Sequence, residues 1–287
     1  MAGMAGDKAA WRCRAHVVEL RVRTLVMGIV NVTPDSFSDG GQYSGTDDAV
    51  RHAIEMAGDG ADLLDVGGES TRPGSEPVSA DEESARVVPV IERLAHELPD
   101  VPISVDTRKP DVARAALEAG ASIVNDISAG REPGMFDVVR TSGAGMVLMH
   151  MQGEPKTMQD EPTYYDVVAE VRGFLGERVE AAVAAGIGRE HLCVDPGIGF
   201  GKNVEQNLAL LRDIGAFHHL GVAVLVGPSR KRFIGTLTGT EADERVEGTA
   251  GAVAWCAASG ADIVRVHDVK AMFRVVRVVD AIARADR

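Results

Sequence analysis

The chain has 287 residues, 45% of them apolar, enough to bury one large α/β core or two small ones. Its 30 basic and 43 acidic side chains leave a formal charge of -13, which repels nucleic-acid phosphates over most of the surface and confines any anionic ligand to a local cluster of cations. Cys13, Cys193 and Cys256 are widely spaced without metal-ligand or redox pairing, no apolar run approaches the roughly 20 residues of a membrane span, and residues 1–10 lack a signal-peptide core. The expectation is a soluble cytoplasmic protein that binds neither nucleic acid nor membrane.

Residues 1–23 stand apart as an N-terminal extension. After a small-residue tail, Val18, Leu20 and Val22 alternate with charged residues, which predicts a strand or hairpin that caps something. A continuous apolar run at 24–32 then empties into Asn-Val-Thr-Pro-Asp-Ser-Phe-Ser-Asp-Gly-Gly at 31–41, the pattern of a buried strand leading into a loop. Similar short runs recur at 62–68, 103–107, 123–128, 145–150, 192–195, 223–227 and 263–268. Between them lie helical signals. Thr46-Asp-Asp-Ala leads into an Ala-rich helix, Ser79 to Glu82 resembles a capping box, Pro110 opens a helix, and a long helix is predicted from Tyr164.

Eight such units in a chain of this length predict a (β/α)8 TIM barrel over 24–287, preceded by the short extension. A doubly wound sheet would want Gly-x-Gly-x-x-Gly after the first strand, where Asn31-Val-Thr-Pro stands instead. No linker divides the barrel, and 151–163 is predicted as a loop over one face.

In such a barrel the strand C-termini collect at one mouth. Those ends carry Asn31, residues 67–72, Asp106, Asn125, Asp126, His150, Asp195, residues 229–231, Arg265 and His267, a set too polar for closely spaced ends without a ligand. Asp195 ends an apolar run and is followed by Pro196 and a loop containing Gly197, Gly199 and Gly201, which lets the backbone turn sharply and approach a ligand. Asp106, Asn125 and Asp195 suit a flat heterocycle presenting N–H edges. Arg72, Arg265 and His267 are cationic or can become so and suit phosphate oxygens. Asn31 is a neutral oxygen ligand for a magnesium ion held mainly by substrate phosphates. Lys231 reads three ways, as a point charge, a Schiff-base nucleophile or a solvated residue. Nucleophilic triads fit poorly, His150 reads as structural, and His218 and His219 read as surface.

Seven ordered blocks carry a family resemblance. They are the 31–41 segment, Asp-Val-Gly-Gly-Glu-Ser-Thr-Arg-Pro-Gly at 65–74, Ser-Val-Asp-Thr at 104–107, Val-Asn-Asp-Ile-Ser at 124–128, residues 195–202, Ser-Arg-Lys at 229–231 and Arg-Val-His-Asp at 265–268. From about residue 24 onward the chain resembles the bacterial dihydropteroate synthases. The resemblance implies a barrel that joins 6-hydroxymethyl-7,8-dihydropterin diphosphate to 4-aminobenzoate and releases pyrophosphate, in folate biosynthesis. By position it implies that Asp106, Asn125, Asp195 and Lys231 hold the pterin. Thr71, Arg72, Arg265 and His267 would face the pyrophosphate, with Asn31 on Mg2+. Phe37, Asp39, Pro73, Phe200 and Lys231 would border the aminobenzoate, and Lys231, Arg72, Asp39 and Phe37 are the catalytic candidates. It further implies loops that close over the site and a homodimer through the last helices.

The chain departs from many relatives at Arg232, which follows Lys231 and is given no substrate contact. A pterin-binding methyltransferase would keep the acceptors but has no need of Ser-Thr-Arg-Pro or Ser-Arg-Lys. A non-catalytic paralogue is disfavoured by intact Asn31, Arg72 and Lys231.

Overall fold

A computed structural model describes residues 9–33, 42–70, 76–153, 158 and 162–284. The chain begins with an antiparallel hairpin, β1 (Ala10–Cys13) and β2 (His16–Glu19), paired from Ala10 with Glu19 to Cys13 with His16. Eight parallel strands follow: β3 (Leu25–Asn31), β4 (Leu63–Gly67), β5 (Ile103–Asp106), β6 (Ile123–Asp126), β7 (Gly145–Met149), β8 (Leu192–Asp195), β9 (Ala223–Val226) and β10 (Ile263–Val266). They close in sequence order, with β10 returning to pair with β3, so the architecture is a (β/α)8 barrel with a short N-terminal hairpin. Every residue of β4, β6, β7, β8 and β9 is buried, the outward ones under helices and the inward ones in the barrel interior. That two-sided burial is why these strands read as continuous apolar runs.

The outer ring is built by α1 (Gln42–Gly58), α2 (Ala80–Glu97), α3 (Pro110–Glu118), α4 (Met135–Ser142), α5 (Val167–Ala184), α6 (Val204–Arg212), α7 (Arg232–Thr238), α8 (Val246–Ala258) and α9 (Val269–Arg284). Ser79 caps α2 by accepting from Glu82 N at 3.2 Å, while the Glu82 side chain pairs with Arg86. The reciprocal capping box lies instead at Asn203, whose side chain accepts from Gln206 N at 2.9 Å while Gln206 Oε1 accepts from Asn203 N at 2.8 Å. α5 begins at Val167, three positions after Tyr164, because Asp166 stops the extended chain and accepts from Ala169 N at 3.0 Å. α1 begins at Gln42, ahead of Thr46. The last helix is tied to the first barrel strand: Asp280 accepts from Thr24 N at 2.8 Å and from Thr24 Oγ1 at 3.0 Å.

The hairpin closes the N-terminal end of the barrel. Trp11, Cys13, Val18 and Leu20 join one apolar cluster with the inward residues Leu25, Met27, Leu63, Ile123, Val147, Cys193, Leu225 and Ile263. Val17 and Val22 face outward. Trp11 Nε1 donates to His191 O at 2.9 Å, and Arg14 Nη1 donates to Leu117 O and Ala121 O at 2.6 and 2.8 Å, closing the end of α3. The fit leaves no room for a side chain at Gly145, where a Cβ would lie 2.5 Å from Cys13 Sγ.

Candidate active site

At the opposite end the same strands deliver polar groups. Parallel register sets Gly67 beside Asp106, Asp106 beside Asn125, and Met149 beside Asp195. Asp65, fully buried on β4, accepts from Asn125 Nδ2 at 2.9 Å and from Arg265 Nε at 2.5 Å, both on Oδ2. Arg265 Nη2 reaches on to Asp106 Oδ2 at 2.7 Å. Because the Asn125 amide nitrogen is committed to Asp65, its carbonyl oxygen is turned the other way and is the group left to accept from a ligand. Asp65 was quoted in a motif but given no role from sequence. It sits inside an apolar strand, and no local pattern distinguishes it as inward-facing.

Asp195 ends β8, and its Oδ1 accepts from Gly197 N at 2.7 Å. Burial raises its pKa, opposed by that hydrogen bond and by Lys231, Arg265 and Lys202. Burial likewise raises Asp106, with Arg265 opposing. Lys231 is pushed down to about 8, first by burial and then by Arg265, while Asp195 and Asp106 pull it back up. These groups therefore face one another in a single mouth. Asp195, Lys231 and Arg265 lie close enough to act on one another's charge.

Lys231 is aimed by the turn before it. Arg230 adopts φ 54°, a left-handed conformation that costs a non-glycine residue about 1–2 kcal/mol. The turn is held by Arg230 Nε and Nη2 on Asp268 at 3.0 and 2.6 Å, by Arg230 N on Thr249 Oγ1 at 3.0 Å, and by Arg245 Nη1 on Arg230 O at 3.1 Å. Arg230 thus points to Asp268, Arg232 is exposed at the start of α7, and Lys231 turns inward with Nζ 4.1 Å above the Phe200 ring. A cation over an aromatic face is attracted by the ring quadrupole.

Of the groups read as cationic or able to become so, His267 is neutral. Burial, then Arg265, Arg230 and Lys231, hold it down to about 3, so the ring is neutral at pH 7. Ser229 Oγ accepts from His267 N at 3.2 Å and lies 2.9 Å from Nδ1. With Ser229 donating to Nδ1, the ring proton is assigned to Nε2, which makes that nitrogen a neutral donor. Arg265, expected to face a diphosphate, divides its guanidinium between Asp65 and Asp106 and keeps other N–H donors.

Asn31 stands half-buried at the tip of β3. Asp126 closes its own turn, accepting from Ser128 N and Gly130 N, each at 2.7 Å, which removes it from the ligand-facing set. His150 is buried and hydrogen-bonded, as expected of a structural histidine. Phe37, Asp39, Thr71, Arg72 and Pro73 lie outside the described residues, as do the loops at 34–41 and 71–75.

Beside the mouth, Lys109 bridges Glu69 and the fully buried Glu83. Burial raises Glu83, opposed by Lys109 and Thr107. This ion group holds the start of the segment that leads to Arg72.

Comparison with known proteins agrees with this geometry. The model of the pterin binding enzyme family matches residues 27–267. The chain is 50% identical over 256 residues to the dihydropteroate synthase of Escherichia coli strain K12, covering 89% of this chain and 90% of that one. The Xanthomonas albilineans dihydropteroate synthase solved with 4-aminobenzoic acid superposes with a TM-score of 0.91 at 49% identity, covering 97% of this chain and 99% of that one. The same enzyme solved with 7,8-dihydropteroate gives a TM-score of 0.86 at 47% identity, covering 96% and 99%.

Proposed function

The chain belongs to the pterin-binding enzyme family, among its dihydropteroate synthases, and from that membership we propose how its barrel mouth joins a dihydropterin-methyl diphosphate to 4-aminobenzoate with release of pyrophosphate. The observation that carries the assignment of residues is the convergence of three acceptors, Asp106, Asn125 and Asp195, on a mouth that also holds Lys231 and Arg265. Asp195 and the Asn125 carbonyl take the ring N–H groups, Asp106 sits beside them, and Lys231 donates to the ring's acceptor edge. A bound pterin supplies donors to carboxylates that burial otherwise disfavours as anions.

The diphosphate falls to His267 through its Nε2–H, to the remaining N–H groups of Arg265, and to Thr71 and Arg72. Among the described residues no group of three or more His, Cys, Asp or Glu is placed to hold a metal ion. Asn31 offers a single neutral oxygen, a donor set that fits magnesium carried chiefly by diphosphate oxygens and water. When bound, the ion neutralises charge on the departing diphosphate.

The C–O bond between the pterin methylene and the diphosphate breaks first, and the ring delocalises the positive charge left on carbon. The aryl amine, neutral at pH 7, then attacks that carbon and loses a proton. No protein nucleophile is required, so these residues act by positioning and electrostatics. Phe200 and Lys231, with Phe37, Asp39 and Pro73, border the amine and keep water from the cation.

Leu237, Trp255, Val278 and Ile282 form exposed apolar positions on α7, α8 and α9, and we read them as a homodimer contact. No described helix is long and apolar enough to cross a membrane. With its three free, buried cysteines the protein is read as cytoplasmic, with 1–23 an extension to a 24–287 barrel domain. Pyrophosphate release tests the proposal. It should require the pterin diphosphate and magnesium and accelerate when 4-aminobenzoate is added; no release under those conditions would overturn it.

A further inference from the structure

The reaction as described leaves one buried cation without a role. Lys202 ends the glycine loop after Asp195, is 3% exposed, and among the described residues has no carboxylate partner within ion-pair distance. Burial pushes its pKa down to about 7, with Asp195 pulling it back up, and the amine is surrounded by acceptors that favour its protonated form: Phe200 O at 2.8 Å, Gly197 O at 3.0 Å and His150 O at 3.3 Å, with His150 Nδ1 at 3.0 Å. Three of these four acceptors belong to or touch the segment that carries Phe200.

The loop needs such a donor because of how it is wound. Gly197, at φ 69°, leaves only 1.9 Å between a built Cβ and His150 O, and Gly201, at φ 62°, leaves 2.5 Å to Gln152 O. The turn that permits this close approach points the Gly197 and Phe200 carbonyls inward, away from water, where oxygens short of donors are costly; Gly197 O also accepts from Phe200 N at 3.1 Å, and Lys202 donates to both. The outer side is held separately. Asn207 Oδ1 accepts from Gly199 N at 2.6 Å, Asn207 Nδ2 donates to Lys202 O at 3.2 Å, and Tyr164 donates to Gly201 O at 2.9 Å. His150 Nδ1 accepts from Lys202 only if the ring is neutral with its proton on Nε2. Its edge-on contact with Phe174, centroids 5.0 Å apart at 90°, fixes the ring plane.

We infer that Lys202, braced by His150, is a positioning residue for the aminobenzoate side of the site: its ammonium gathers the inward carbonyls of the loop and so sets the Phe200 ring against Lys231. The inference rests on the synthase reading above, which gives Phe200 its place beside the amine. It is distinct from a charge acting on substrate, since the ammonium is enclosed by carbonyls and His150. Phe200 packs on Ile127, Met149, Met151 and Met158, so a loop released from Lys202 loses the aromatic wall, while Asp195 keeps its direct bond from Gly197 N and the charges of Lys231 and Arg265 and loses only the more distant Lys202 charge.

Lys202→Met removes the donors and keeps much of the bulk. It should raise KM for 4-aminobenzoate about ten- to a hundredfold, from the loss of charge-assisted hydrogen bonds, while the Kd of the pterin diphosphate by calorimetry stays within about twofold. Joined to Phe200→Ala, it should add little to the KM effect of Phe200→Ala alone, because both changes remove the same wall. Hydrogen exchange of the amides at 199–201 should speed up while β8 stays protected, and this readout does not depend on the reaction. If Lys202→Met fails to fold, His150→Gln, which keeps an acceptor, should hold KM within about threefold, and His150→Leu should raise it as Lys202→Met would. Pterin affinity falling in step with KM, multiplicative effects of the two substitutions, unchanged exchange at 199–201, or equal effects of His150→Gln and His150→Leu would each overturn the inference. A wild-type protein that releases no pyrophosphate would sink the synthase reading instead, leaving the exchange result to judge the loop.

Discussion

The two ends of this barrel are made from the same eight strands and carry opposite chemistry. At the N-terminal end Trp11, Cys13, Val18 and Leu20 plug the opening against Leu25, Leu63, Ile123 and Val147. At the C-terminal end, within a few residues along the same strands, stand Asp65, Asp106, Asn125 and Asp195. Burial of apolar area stabilises the first end, whereas the second keeps ionisable groups where burial opposes their charged forms. Stability and recognition are thus placed apart: a substitution at the plug should leave recognition nearly untouched, and one in the mouth should cost little stability.

The largest effect that could break this division is at the plug. Trp11→Ala should cost about 3–5 kcal/mol of stability in denaturant unfolding, through lost burial and the cavity left behind. Pterin diphosphate affinity, measured on the folded fraction, should stay within about twofold. A large loss of affinity would show that the plug shapes the mouth.

The mouth provides the converse. Asp65→Asn should weaken pterin diphosphate binding about ten- to a hundredfold, because Asn125 and Arg265 lose the shared anion that orients them. Titration calorimetry reads the affinity, and a thermal melt within a few degrees of wild type would complete the contrast. Unchanged affinity would mean that Asn125 and Arg265 hold their places without Asp65.

A smaller effect follows from Lys231. Its folded-state pKa, about 8, lies below the ordinary lysine value of 10.5, so between those values the unfolded chain binds more protons than the folded one. The group's contribution therefore makes stability rise with pH across that window. Lys231→Met should flatten the rise, seen by comparing unfolding free energies of both proteins at pH 8 and pH 10. Parallel pH profiles would mean that Lys231 is not desolvated in the free protein.

The difference between the ends also explains what was legible in the sequence. Strands buried on both faces announce themselves as apolar runs, and the polar residue that ends a run is visible by contrast, which is how Asp106, Asn125 and Asp195 were singled out, whereas Lys231, beyond the end of its strand, was given a site role only by the family resemblance. Alternation at Val18 and Leu20 pointed to a capping hairpin, but the barrel floor it covers is assembled from seven strands far apart in sequence. Asp65 was missed because it lies within its strand, where only closure of the barrel shows that it faces Arg265, 200 positions away. Lys202 resembles a solvated lysine after a glycine loop until the loop's carbonyls are seen to enclose it. His267 read as a group that is cationic or can become so because its burial, the main cause that holds it neutral, and the added charges of Arg230 and Lys231 from another strand end are invisible beside Arg265 in the local sequence. Ser79 and Asn203 show the local limit, since a capping box depends on where the Glu82 or Gln206 side chain goes as well as on spacing.

The central claim is that the polar mouth is a pterin site, and calorimetric titration of Asp195→Ala with the pterin diphosphate tests it most directly. Loss of charge-assisted hydrogen bonds to the ring should weaken binding by about two to four powers of ten, with no loss of stability. Affinity equal to wild type in a folded Asp195→Ala protein would contradict the account.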